Sequence, residues 1–166
     1  MFRHLEDFYA SWKHEHEATL KLFDRLTDES LHQRVIPDGR TLGFIAWHIV
    51  QTLGEMPART GLSVDAPAED TPPPSSAAAI TAAFAKASDS LVEQIRTHWS
   101  DDTLLEEDDM YGEQWTRGVT LLCLVAHHAH HRGQMTVLMR QAGLQPNGVY
   151  GPSKEEWAAF GMPPMP

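Results

Sequence analysis

Apolar residues recur at the spacing of one helix face through most of this chain, with polar residues filling the other positions. Leu5, Phe8, Tyr9, Trp12, Leu20, Phe23 and Leu26 mark the inward side of a first helix, roughly Arg3 to Leu26. Asp38-Gly39-Arg40 follows a proline-containing loop, and Thr41 is placed to cap a second helix. There Leu42, Ile45, Ala46, Ile49, Val50, Leu53 and Met56 form an amphipathic stripe. Pro57 kinks or ends it, and Gly61 marks its exit. The stretch from Ser63 to Ser76, with Pro67 and Pro72-Pro73-Pro74, reads as a loop or extended crossover. A third helix, about Ala77 to Trp99, turns Ile80, Phe84, Ala87, Leu91 and Ile95 inward. Asp101 to Gln114 is acidic and reads as irregular, with no convincing strand alternation. Thr116 caps a fourth helix, about Arg117 to Ala142, which stops at Gly143.

Four long helices and one long crossover predict an all-α protein, a four-helix bundle of the up-down-down-up type. One domain over residues 1–166 is expected, with a core of about 3–143 and a Pro- and Gly-rich tail, 144–166. Tyr150, Trp157 and Phe160 in that tail predict that it packs on the body. Trp12, Trp99, Trp115 and Trp157 are assigned to outer faces, where a second copy would cover some of them. A two-fold homodimer is the expectation, with the competing reading that the tail covers these rings within one chain.

Composition narrows the function classes. Hydrophobic residues at 42% and charged residues at 22% are ordinary for a globular domain. The net charge of −10, with 13 scattered Lys and Arg, argues against nucleic acid as a partner. No apolar run approaches the roughly 20 residues of a membrane span. Cys123 is alone, so no intramolecular disulfide forms, and the polar N-terminus lacks the apolar core of a signal peptide. A cytoplasmic location is the expectation.

The chemistry concentrates in histidine. His127, His128, His130 and His131 crowd one helical stretch, and neutral imidazole is a ligand for zinc, nickel, copper and iron. At about 100° per residue, His127 and His131 share the border of the stripe made by Leu121, Val125, Met135 and Met139. His48 has the matching border place on the second helix. Border side chains can meet across helices and still open toward solvent. Three histidines leave coordination positions for water or substrate, as catalytic sites do. The pairs His127/His130 and His128/His131 also have helical spacing; His127/His131 is preferred because its border matches that of His48. His128 points nearer the stripe centre, as a packed or interface residue would, and His130 points to solvent.

Leu42-Gly43-Phe44-Ile45-Ala46-Trp47-His48-Ile49, followed by His127-His128-Ala129-His130-His131-Arg132-Gly133-Gln134, resembles the DinB/YfiT-like family, whose members are regarded as metalloenzymes. The resemblance spans the first helix to Gly143. It implies a four-helix bundle holding a divalent metal through His48, His127 and His131. It also implies a small-molecule substrate and, for some members, chemistry that transfers a low-molecular-weight thiol. A metal-dependent thiol transferase or hydrolase is the leading expectation, with zinc or nickel the first candidates and manganese or iron behind them. The alternative is a non-catalytic metal-binding bundle, a stress-response or sensor module. Position 128 is His, so the His-Glu-x-x-His pattern of one large class of metalloproteases is absent.

The neighbouring residues have readings of their own. Gln134, three residues beyond His131, suits either a hydrogen bond to a ligand ring or metal-bound water, or a bundle-edge amide. Glu55, two turns after His48, could reach the pocket as a base, although carboxylates at such places are mostly solvated. Arg132 is assigned to the acidic surface, and Gly133 to a close approach of another helix. Cys123 is read as inert.

Overall fold

A computed structural model of the chain describes residues 1–163. Its long elements are α1 (Leu5–Phe23), α2 (Leu42–Ala58), α3 (Ala77–His98) and α4 (Arg117–Gln141). A short antiparallel hairpin, β1 (Glu107–Met110) and β2 (Glu113–Thr116), precedes α4. Single 3-10 turns occupy Glu29–His32, Asp102–Leu105 and Trp157–Phe160.

The ends of the helices give their directions. Asp28, just past α1, accepts a hydrogen bond from the Ala77 amide that opens α3 (2.8 Å). The start of α3 therefore lies at the end where α1 stops and α2 begins. Asp101, just past α3, accepts one from the Leu5 amide that opens α1 (2.8 Å). Phe2 donates to the Gly118 carbonyl in the first turn of α4 (3.2 Å), so α1 and α4 start together. The order is up-down-down-up, and the crossover after α2 spans the length of the bundle. α1 and α2 each pack against both α3 and α4.

The stripes close on one core in which Phe8, Leu22, Leu42, Ile49, Leu53, Ile80, Phe84, Leu91 and Ile95 are fully buried. Thr41 caps α2 as expected, its hydroxyl oxygen accepting from the Phe44 amide at 3.0 Å. α2 leaves through Gly61 at φ +84°, and α4 through Gly143 at φ +79°, conformations that a Cβ would strain.

Several expectations need correction. The acidic stretch before α4 is not wholly irregular. Tyr111 and Gly112 at φ +60° and +88° form the tight turn of a hairpin, as paired positive φ values allow. Its strands carry little alternation because Asp108 is spent on Arg117, which also pairs with Glu106. Thr116 stands at the N-cap of α4, but its side chain makes no cap bond. Gly133 is exposed with open space around it; the close approach is at Gly118, where a Cβ would meet the Phe2 carbonyl oxygen at 2.3 Å. Trp12 and Trp99 are in the core, at 2% and 8% exposure, so the inward place of Trp12 on the first helix holds and the assignment of both rings to outer faces does not. Trp115 and Trp157 are half-buried.

Arg132 is the largest departure. It is 2% exposed and forms an ion pair with buried Glu15 of α1. It also donates to Thr19 Oγ1 (3.0 Å) and to the Tyr150 hydroxyl (2.8 Å). Tyr150 in turn donates to the Glu15 carboxylate at 2.8 Å, so the tail docks through a polar contact while Phe160 stays 65% exposed. Nothing in helical periodicity separates such a buried pair from two solvated charges.

Candidate metal centre

His48 lies in the second turn of α2, and His127 and His131 lie one turn apart on α4. Antiparallel packing of the two helices brings the three rings together, with centroids 5.1 Å (His48–His127), 4.7 Å (His48–His131) and 4.4 Å (His127–His131) apart. One ring nitrogen from each lies within 4.8 Å of the other two. Among the described residues no other group of three His, Cys, Asp or Glu side chains converges in this way. His48 and His127 are half-buried and His131 is buried.

The donor set fits a transition-metal ion. Nitrogens bound to one ion at about 2.0–2.1 Å stand roughly 3–3.5 Å apart. His48 Nε2 and His127 Nε2 are 3.0 Å apart, the spacing of two corners of such a polyhedron. His131 Nδ1 donates to Gln134 Oε1 at 2.8 Å, which leaves Nε2 with its lone pair free. A hydrogen bond from the remote ring nitrogen is the usual means of fixing a ligand's tautomer and orientation.

Electrostatics keep these rings in the ligand form. Burial first, and then the neighbouring His131, push His48 below the ordinary histidine value. The same causes, with His48 adding to them, lower His127 to about 4. Burial lowers His131 as well, against the opposing hydrogen bond to Gln134. Three imidazoles that resist protonation near neutral pH are already prepared to bind a cation.

The remaining histidines separate cleanly. His128 is fully buried, its ring 5.3 Å from that of Trp12 and its Nε2 3.3 Å from Thr52 Oγ1. His130 is exposed; its Nε2 lies 3.1 Å from Gln134 Nε2, and its ring is 5.0 Å from that of His131. Glu55 does not join the cluster. Its carboxylate accepts from Arg59 Nε (3.0 Å) and from the Tyr111 hydroxyl (2.6 Å). It nonetheless shares a cavity of about 310 Å³ with His48, walled by Phe44, Trp47, Gln51 and the crossover at Asp70–Pro73. Burial raises the Cys123 thiol, in keeping with an unreactive side chain.

Several contributors escaped sequence reasoning. Trp47 Nε1 donates to the Thr71 carbonyl (2.8 Å), and Gln51 Nε2 to the carbonyls of Ala68 (2.7 Å) and Glu69 (3.0 Å). These bonds hold the crossover as a wall of the cavity. Tyr111 reaches Glu55 from a hairpin for which the acidic sequence gave no signal. Only the Tyr-Gly pair at its tip could have hinted at a turn.

A model of the DinB family matches residues 1–165. The chain belongs to the DinB family. It is 49% identical over 162 residues, 98% of this chain and 97% of the relative, to a Bacillus subtilis (strain 168) protein named "Uncharacterized protein YrdA". The crystal structure of a DinB-like protein from Bacillus cereus ATCC 10987 superposes with a TM-score of 0.87 at 43% identity, covering 90% of this chain and all (100%) of that one. A DinB-like protein of Bacillus subtilis, YjoA, shares the fold at 14% identity, with a TM-score of 0.65 over 82% of this chain and 92% of that one.

Proposed function

We propose that this DinB-family protein binds one divalent transition-metal ion through His48, His127 and His131 and uses it to activate a thiol or water against a small molecule. The observation that carries this reading is the convergence of three low-pKa imidazoles, one of which, His48, lines a cavity of about 310 Å³. An all-imidazole donor set favours zinc or nickel over magnesium or calcium, which prefer oxygen. Three protein ligands leave an open position, the arrangement of catalytic rather than closed structural sites. A bound ion of this kind supplies Lewis acidity that lowers the pKa of a coordinated thiol or water.

The chain's own residues supply the rest. Gln134 holds the His131 ring in one orientation. Trp47 and Gln51 fasten the crossover and so set the cavity's width. Glu55 offers the cavity a carboxylate that Arg59 and Tyr111 hold in place and that can take a proton from an incoming nucleophile. The cavity's size suits a small molecule.

The test is a conjugation screen. Tag-free protein, loaded with zinc or nickel, is incubated with low-molecular-weight thiols and small electrophiles, and product is followed by mass spectrometry. Ester and amide substrates run in parallel for hydrolysis. Metal-dependent turnover that vanishes in His127→Ala supports the enzyme. Stoichiometric metal binding without turnover of any thiol, ester or amide favours a metal-binding module without catalysis.

A further inference from the structure

On the flank of the triad away from Glu55, the loop before α2 and the end of α4 enclose a groove of about 380 Å³, within the range of about 300–1,000 Å³ usual for small-molecule sites. Its walls are apolar: Val35, Ile45, Val137 and Leu138. Val35 and Val137 are 64% and 53% exposed, so two of these walls lie open to solvent. Two polar side chains enter it, Arg40 and Gln134, and no carboxylate lines it.

Arg40 is exposed. Among the described residues its guanidinium makes neither an ion pair nor a hydrogen bond; it lies over the Phe44 ring, 5.1 Å from its centroid. Phe44 stacks in turn on His48, at 6.4 Å and an interplanar angle of 13°. Gln134 ties the opposite side of the groove to His131.

From this arrangement we infer that the groove is a binding site for a small carboxylate with an apolar body, its head group on Arg40 beside the metal centre and its body against Ile45, Val137 and Leu138. The inference rests on the metal-site reading for its functional meaning, because it names the charge class of the molecule delivered to that site. Guanidinium is the side chain best shaped for a carboxylate, which it can grip through two parallel hydrogen bonds. The apolar wall supplies the area that such a head group alone lacks. An amine of the same shape meets the guanidinium as a like charge and is rejected.

Titration calorimetry and methyl NMR on the full-length, tag-free protein test this with three matched probes: 4-phenylbutyrate, 4-phenylbutanol and 4-phenylbutylamine. The butyrate is expected to bind saturably, to shift the methyl signals of Ile45, Val137 and Leu138, and to weaken roughly tenfold in Arg40→Gln. Val137→Asp, at an exposed position, should also weaken it while leaving the helical spectrum unchanged. Equal affinity for the three probes, no effect of Arg40→Gln, or methyl shifts elsewhere would overturn the assignment, as would the absence of saturable binding. Metal uptake by the same wild-type protein, measured beside the titration, separates the two readings. Selective butyrate binding in a protein that takes up no metal leaves the groove standing and removes the metal centre. Full metal uptake with unselective probes does the reverse.

Discussion

Arg132 and Glu15 place two charges in the interior, with side-chain exposures of 2% and 5%. Removing one partner leaves the other buried without compensation, which costs about 3–5 kcal/mol. Arg132→Met is therefore expected to lower the urea midpoint strongly, and Glu15→Leu added to it should recover much of the loss. A single substitution no worse than the double would contradict the ion pair. At the tail, the ion pair with Arg140 holds the exposed Glu155 carboxyl down to about 2. A carboxyl lowered in the folded state contributes fully above its ordinary value near 4.5 and loses that contribution as pH falls through about 2. Carbon-detected NMR titration of Glu155 should give a midpoint near 2; an ordinary midpoint would show the contact to be absent in solution. These residues mark the limit of reading from sequence. His48, His127 and His131 were legible because their type and border spacing both pointed to a metal. Arg132 was not, because a charge next to a histidine cluster reads as solvated until its partner 117 positions away is known.

The helices were legible because each buried one stripe, and α2 and α4 leave through glycines at positive φ. Thr41 and Thr116 look alike in sequence, yet only Thr41 bonds the open amide of its helix. Thr41→Ala should cost about 1 kcal/mol in chemical denaturation, and Thr116→Ala much less. Equal losses would mean that both threonines act as caps. The glycines of α4 give a second contrast. Gly118→Ala forces a methyl into the Phe2 carbonyl and should destabilise. Gly133→Ala, in open space with helical geometry, should stabilise by up to about 1 kcal/mol. The hairpin was hidden because its eight residues, Glu107–Met110 and Glu113–Thr116, carry mostly charged and polar side chains. Its place is set by Arg117 on Asp108, nine residues away, and by Tyr111 on Glu55, a contact made across the fold rather than along the chain.

At the scale of the molecule, the core holds the bundle together without the triad. Chelation is expected to leave the helical circular dichroism in place and to lower the melting temperature, since a ligand bound only by the native state stabilises it. Loss of the helical signal would instead assign the ion a structural role. The burial of Trp12 and Trp99 takes two rings out of the case for a dimer and leaves Trp115 and Trp157 as candidates for contact. A dimer remains our proposal, and sedimentation equilibrium showing a monomer at every concentration would reject it. The up-down-down-up order matters more directly, because antiparallel α2 and α4 are what carry His48 to His127 and His131. Elemental analysis of tag-free protein, wild type beside His48→Ala, His127→Ala, His131→Ala and His130→Ala, tests that convergence most directly. The account predicts one divalent ion per wild-type chain, strong loss in each of the first three variants and none in His130→Ala; full occupancy in His48→Ala would contradict it.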